Sequence, residues 1–418
     1  MRILMLSSTF PYPPSRGGTE IRTFNLLKYL QRHHSVTLIT QQHKGVSVTE
    51  VEELRQYVSE LMVFPLPPDV QEEKAIAGGG ALPIAKIFGK IGRFAESVIK
   101  ATPPNVLHRY SPEIQALVDN YVQAQKFDVI TCEHSVNEIY IRPEFRQTIN
   151  TVVDIHSSVY SWTNDHLKMG ASQNALRDRL YLALILERYE KRYCNKFSHI
   201  VVTTEDDRQE FLKLRPEMEI EVIPNGVDLE LFPYRCQDPG GHQLIFVGAM
   251  DASHNIDAAR FFALEVLPEL QKSYADATFS IVGAKPTPEI LDLKNIPGVI
   301  VTGRIPAMVE YLHQATVCVV PLRTGFGIKN KTLEAMAAGV PVVASDRGLE
   351  GLAIDTPMRA LRANKPAEYV AAISQLFDHP QLRDQLSQNG RQLVETEFTW
   401  DLAGKRYEQV CLGLNHQP

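Results

Sequence analysis

Cysteine is scarce in this chain. The five residues Cys132, Cys194, Cys236, Cys318 and Cys411 lie far apart, and no CxxC pair occurs. That excludes a disulfide framework or a thiolate zinc cage and fits a reducing compartment, the cytoplasm. A basic excess is also missing: 43 Lys and Arg stand against 49 Asp and Glu, for a net charge of −6. Binding to duplex nucleic acid through many phosphates is therefore disfavoured. No apolar run approaches the length of about 18 residues that a membrane span needs. The opening run Ile3–Leu6 meets Pro11, Pro13 and Pro14 too soon for a signal-peptide core and reads as a buried strand. Neither GxGxxG nor GxxxxGK[ST] occurs, so the simple dinucleotide and Walker phosphate loops are excluded. Low-complexity tracts and repeats of 20–50 residues are absent too.

What the chain does have is alternation. Its 418 residues are 44% apolar and 22% charged, enough for two or three globular domains. Short apolar runs fall at Ile3–Leu6, Val36–Ile39, Met62–Phe64, Val129–Thr131, Val152–Ile155 and Ile200–Val202. A second series follows at Leu244–Val247, Phe279–Val282, Val299–Val301, Val317–Val320 and Val342–Ala344. Runs apolar on both faces, separated by helical patterns, predict parallel sheets covered by helices, an α/β architecture. One such helix spans Asn174–Phe197, with a stripe at Leu182, Leu186, Tyr189 and Tyr193. The series breaks near Ile223-Pro224-Asn225-Gly226, and Phe232–Gln243 has no periodicity. This divides the chain into a first domain 1–222, a linker 223–243, a second domain 244–395 and a terminal helical segment 396–418. Open parallel sheets bind ligands beyond the carboxyl ends of their strands, so the chemistry is expected on the loops there.

Two loops stand out. After the first strand, Arg16-Gly17-Gly18-Thr19 opens a helix, and glycines there let backbone amides approach an anion. Taken alone, the glycine pair is an ordinary turn. The stronger segment runs from Val317 to Ser345. Its loop holds Gly325, Phe326, Gly327, Ile328, Lys329, Asn330 and Lys331, and a helix starts near Thr332. Glycines, two lysines and a helix N-terminus together suit a diphosphate. Glu334, one turn into that helix, can accept hydrogen bonds from vicinal hydroxyls; its other reading is helix-dipole stabilisation.

The ordered set of motifs resembles the retaining GT-B glycosyltransferases of family 4. It comprises Ile223-Pro224-Asn225-Gly226-Val227-Asp228, Leu244–Gly248 with Asn255-Ile256-Asp257, Ser280–Gly283, Val301–Ile305, and Leu333-Glu334-Ala335-Met336-Ala337-Ala338-Gly339-Val340-Pro341. The resemblance implies two Rossmann-like domains facing across a deep cleft, with the C-terminal helix crossing back to the first domain. It implies a nucleotide-sugar donor on the second domain, a UDP-sugar before a GDP-sugar, and a carbohydrate acceptor on the first. On this view Glu334 holds the ribose, Gly303, Arg304 and Ile305 meet the base, and residues 325–332 with Gly248 hold diphosphate and sugar. Gly17 and Gly18 close on the phosphates, and His156, just past a strand end, meets the donor sugar. His156 and Lys331 are the expected catalytic pair, and Arg16, Arg22, Arg109 and His134 the acceptor candidates. No metal or cofactor is expected.

Two departures from the family pattern follow. An Arg and a Lys commonly stand after the first strand of the donor domain; here those places read Ala249-Met250 and His254-Asn255. Lys331, with Lys329 or Arg323, is the replacement. Eight residues before Glu334 stands Phe326 where a second glutamate is usual. The implied reaction is hexosyl transfer, from UDP-glucose first, to a hydroxyl of a sugar, a sugar phosphate in the manner of sucrose-phosphate synthases, or a lipid-linked glycan. A GT-B nucleotide-sugar epimerase and a non-catalytic nucleotide-sugar binder are the alternatives. Glu205-Asp206-Asp207 reads as a helix N-terminus, not a metal site. The basic stretch Ile84–Lys100 reads as a solvated amphipathic helix, with contact to an anionic membrane surface as its alternative.

Overall fold

The structure, a computed structural model, describes residues 1–14, 17–67, 83–168, 170, 172, 174–325 and 327–414, with backbone alone for 83–91. Arg16 and Phe326 lie outside the described residues. The chain divides into two compact units, Met1–Ile223 with Gly404–Pro418, and Pro224–Ala403.

The first unit is built on β1 (Arg2–Ser7), β2 (Ser35–Gln42), β3 (Glu60–Pro65), β4 (Val129–Glu133), β5 (Asn150–Ile155), β6 (His199–Val202) and β7 (Ile220–Val222). They form one sheet in the order β3-β2-β1-β4-β5-β6-β7, and every pairing is parallel. Ile3, Leu4 and Met5 on β1 and Val152 and Val153 on β5 have no exposure, because helices cover both faces. Strand order reverses between β1 and β4, the place where open parallel sheets leave a crevice at their carboxyl ends.

The second unit carries β8 (Gln243–Val247), β9 (Thr278–Val282), β10 (Val299–Gly303), β11 (Val317–Val320), β12 (Val342–Ala344) and β13 (Leu361–Arg362). Their order is β10-β9-β8-β11-β12-β13, again all parallel, and the reversal lies between β8 and β11. Two parallel-sheet, Rossmann-like units of this kind are the GT-B fold class.

Of residues 223–243, read from the sequence as a linker, 224–243 pack within the second unit. Val227 is buried and its amide donates to Phe398 O (2.8 Å). Arg235 is buried too, donating to Ala315 O (2.8 Å) and pairing with Asp238 (3.2 Å). Lack of periodicity there reflects individually anchored side chains, not a tether.

The helix Trp400–Cys411 starts in the second unit and, from Gly404 on, belongs to the first. Tyr407 Oη donates to Glu133 Oε1 (2.7 Å), and His34 Nε2 meets Glu408 Oε1 (2.6 Å). A Cβ on Gly404 would fall 2.2 Å from Tyr29 Cγ, so only glycine lets this helix seat on that ring.

Candidate functional site

The candidate residues of the second unit gather at the β8/β11 reversal. Gly248 directly follows β8, and Gly283, whose φ is +153°, directly follows β9. A Cβ on Gly283 would sit 1.7 Å from Gly248 O, so the two loops meet backbone to backbone. A Cβ on Gly248 would fall 2.9 Å from Lys331 Nζ. Glycine at 248 therefore makes room for the ammonium. After β11 the loop turns through positive φ at Gly325 and Gly327 and enters the helix Asn330–Ala337, whose N-cap, Lys329, gives no side-chain cap. Asn330 Oδ1 accepts from Asn225 Nδ2 (3.2 Å), and Thr332 Oγ1 donates to Gly348 O (2.8 Å). Ile328 is half-buried against the core.

The three cationic candidates separate here. Lys329 is buried, donating to Gly327 O and pairing with Glu350 (3.2 Å). Arg323 pairs with Asp257, its Nε 2.9 Å from Oδ2. Lys331 meets no carboxylate within ion-pair distance among the described residues; its Nζ donates to Asn255 Oδ1 (2.5 Å) and lies 4.4 Å from the centre of the Phe246 ring. Asn255 in turn donates to Ala249 O (2.9 Å). Burial pushes Lys331 down to about 7. Burial likewise pushes Glu334 up to about 7, against the pull of Lys331. Gly303 ends β10 with φ +73° and open space at its Cβ position; Arg304 is exposed and Ile305 half-buried.

A second group of candidate residues lies in the first unit. His156 follows β5, and its Nδ1 lies 3.3 Å from Thr19 Oγ1, which brings the Gly17-Gly18 turn to this ring. Its Nε2 is 3.6 Å from Asp154 Oδ2. His134 follows β4, with rings 4.9 Å apart and edge to face with His156. His134 has φ +75°, strained for a residue with a side chain, and its amide donates to Asp154 O (3.0 Å). Burial, then His156, pushes His134 down to about 3, so its ring is neutral.

Arg22 is corrected. It was expected to face an acceptor, yet it is 1% exposed, with Nε 2.6 Å and Nη2 2.9 Å from the Asp154 carboxylate. Burial alone would raise Asp154, but Arg22 outweighs it and holds the carboxylate ionised. Beside them Glu133, paired in register with Asp154, is pushed up to about 8 by burial and by Asp154. One cation, one anion and one neutral acid thus share this interior. Arg109 remains half-buried, its Nη1 3.5 Å from Ser8 O. Asp207 lies under Thr204 as a helix cap (Asp207 N to Thr204 Oγ1, 3.0 Å). Among the described residues no group of three or more His, Cys, Asp or Glu is placed to hold a metal ion. Sequence reasoning passed over Asn255 as a site residue. Its signal was position: it occupies one of the places where a family lysine is usual.

Residues 16–231 match the family described as Glycosyltransferase Family 4, and residues 241–379 match Glycosyl transferases group 1. The chain belongs to glycosyltransferase family 4. It is 26% identical over 206 residues to a glycogen synthase of Mycobacterium tuberculosis, covering 46% of this chain and 48% of that protein. It is 25% identical over 226 residues to an MMP alpha-(1->4)-mannosyltransferase of Mycolicibacterium hassiacum, covering 50% and 53%. These alignments span about half the length of the curated relatives. In fold it is similar to sucrose-phosphate synthase from Thermosynechococcus elongatus, with TM-score 0.68 and 17% identity over 99% of each chain. It is also similar to Anabaena HepE solved with UDP, with TM-score 0.63 and 16% identity over 99% of this chain and 100% of that one.

Proposed function

We propose that this protein is a retaining glycosyltransferase that moves a hexosyl group, glucose from UDP-glucose, onto a hydroxyl of a carbohydrate acceptor. The observation that carries the reading is Lys331, an ammonium without a carboxylate partner at the start of a helix on the β8/β11 reversal, with Glu334 one turn on. Family membership supports the reaction class, and HepE, of the same fold, was solved with UDP-glucose. Departure of the diphosphate is the demanding step. A lysine poised near neutrality and a helix N-terminus stabilise negative charge as it grows. Glu334 takes the ribose hydroxyls as an acceptor of hydrogen bonds.

On the first unit, His156 presents a ring nitrogen suited to a carbohydrate hydroxyl, oriented by Thr19 and Asp154. Asp154 is buried and committed to Arg22, so it is no nucleophile. Asn255 fixes Lys331 in place of the missing Arg and Lys. The chain needs neither metal nor cofactor on this account. No described helix is long and apolar enough to cross a membrane.

The test is UDP release from UDP-glucose, with GDP-mannose as the comparison donor, and the anomeric configuration of the product read by NMR. Transfer from UDP-glucose with the α-configuration kept supports the reading. Inverted product overturns the retaining mechanism, and turnover with GDP-mannose alone overturns the donor.

A further inference from the structure

A cavity of about 1450 Å³ lies within the first unit. That exceeds the roughly 300–1,000 Å³ of pockets for small ligands. Gln42 and Pro65, at the carboxyl ends of β2 and β3, form one wall; Arg93, Ser97 and Lys100, from the helix Pro83–Lys100, form another.

Its lining is cationic, and most of those charges are already answered. Glu138 takes Lys196 (2.5 Å) and Arg192 (2.8 Å), and Glu96 takes Lys100 (2.7 Å). Arg109 and Arg93 have no carboxylate within ion-pair distance among the described residues. For exposed Arg93, water suffices. Arg109 is half-buried, its Nη1 3.5 Å from the Ser8 carbonyl oxygen, and a desolvated guanidinium without an anion is costly. Two further groups on the lining have no hydrogen-bond partner among the described residues: Ser97 Oγ, on a residue with no exposure, and His108 Nε2. Arg109 also lies close enough to His134 to act on its charge, and His134 packs on His156. Ser8, which Arg109 meets, donates through Oγ to Asn137 Oδ1 (2.6 Å), and Asn137 Nδ2 donates to His134 O (3.3 Å), so the Arg109 end of the cavity is bonded to the segment that carries His134.

We propose that this cavity seats the acceptor, and that the acceptor carries an anionic oxygen group, a phosphate or a carboxylate, held by Arg109 and reinforced by Arg93. The acceptor role rests on the glycosyltransferase reading above; the anion site stands on the cavity. Bidentate guanidinium pairing suits either group and selects it against a neutral sugar.

Binding to the full chain is measured calorimetrically with glucose 6-phosphate, glucuronate, farnesyl diphosphate and neutral glucose, and separately with UDP. At least one anionic probe is expected to bind tenfold or more tightly than glucose. Arg109→Gln is expected to remove that advantage, Arg109→Lys to keep part of it, and both to bind UDP as the parent does, which also reports an intact fold. Preference for glucose 6-phosphate names a sugar phosphate as the source, and preference for farnesyl diphosphate a lipid-linked one. Equal affinity for glucose and every anion, or an anion preference unchanged in Arg109→Gln, overturns the proposal. Anion binding through Arg109 without any UDP binding upholds the anion site and overturns its role as acceptor site.

Discussion

Lys331 carries its charge where burial disfavours one, and the cost and the use of that charge can be measured apart. Replacing it with alanine removes a charge-assisted contact of about 1.5–3 kcal/mol, so UDP affinity should fall roughly 10- to 100-fold. Replacing it with methionine should weaken UDP equally while raising the melting temperature. Its pKa lies below the unfolded value, so the folded state resists protonation and stability climbs as pH rises from about 7 toward 10.5. The methionine variant should lose that slope; a wild-type melting curve flat across the same range would contradict the assignment. Legibility differed between neighbours. The helix that carries Lys331 and Glu334 was readable because a glycine-rich loop precedes its start. The burial of Arg22 was not readable, since its partner Asp154 lies 132 positions away and nothing local marks a helix arginine as interior.

The same limit operates on whole elements. All eleven strands expected from apolar runs are present, because strands buried on both faces need such runs. The two not expected, β7 and β13, are edge strands of three and two residues, too short to show a period. The helix expected over Asn174–Phe197 contains a π-turn at Leu182–Leu186, which shifts its buried side to Ile185, Leu186, Tyr189, Glu190 and Tyr193. Glu190 on that side accepts from Ser158 Oγ (2.9 Å), and burial pushes it up to about 7. The basic stretch folds as the helix Pro83–Lys100, and its described side chains Arg93, Ser97 and Lys100 line the cavity.

Two element-scale outcomes follow. Asp154→Asn leaves Arg22 buried without its anion, and should cost about 3–5 kcal/mol in denaturant unfolding. A loss under 1 kcal/mol would show the pair to be dispensable. Glu133 behaves oppositely to Lys331: its folded pKa, about 8, lies above the unfolded value near 4.5. Its contribution is complete below pH 4.5 and is lost as pH rises through 8. Glu133→Gln should flatten that decline; an unchanged decline would assign it to other groups.

At the scale of the whole molecule, the two units are held in one chain through a helix that starts in one and ends in the other. Gly404→Ala drives a methyl into the Tyr29 ring and should destabilise the first unit by about 1–3 kcal/mol, read as an earlier melting step. The fold class was legible throughout, since two series of buried strands separated by helices admit few architectures. The second compact unit starts at Pro224, and the anchoring of 224–243 depends on individual contacts such as Arg235 with Ala315 that no local pattern encodes. The chain of contacts from Arg109 through Ser8 and Asn137 to His134 was equally hidden, because it joins separate loops.

The most direct test of the central claim is calorimetric titration of UDP into the parent chain and into Lys331→Ala, side by side. The account predicts saturable binding to the parent and at least tenfold weaker binding to the variant, with Arg109→Gln matching the parent. Equal affinity in parent and Lys331→Ala would contradict the placement of the diphosphate on this helix.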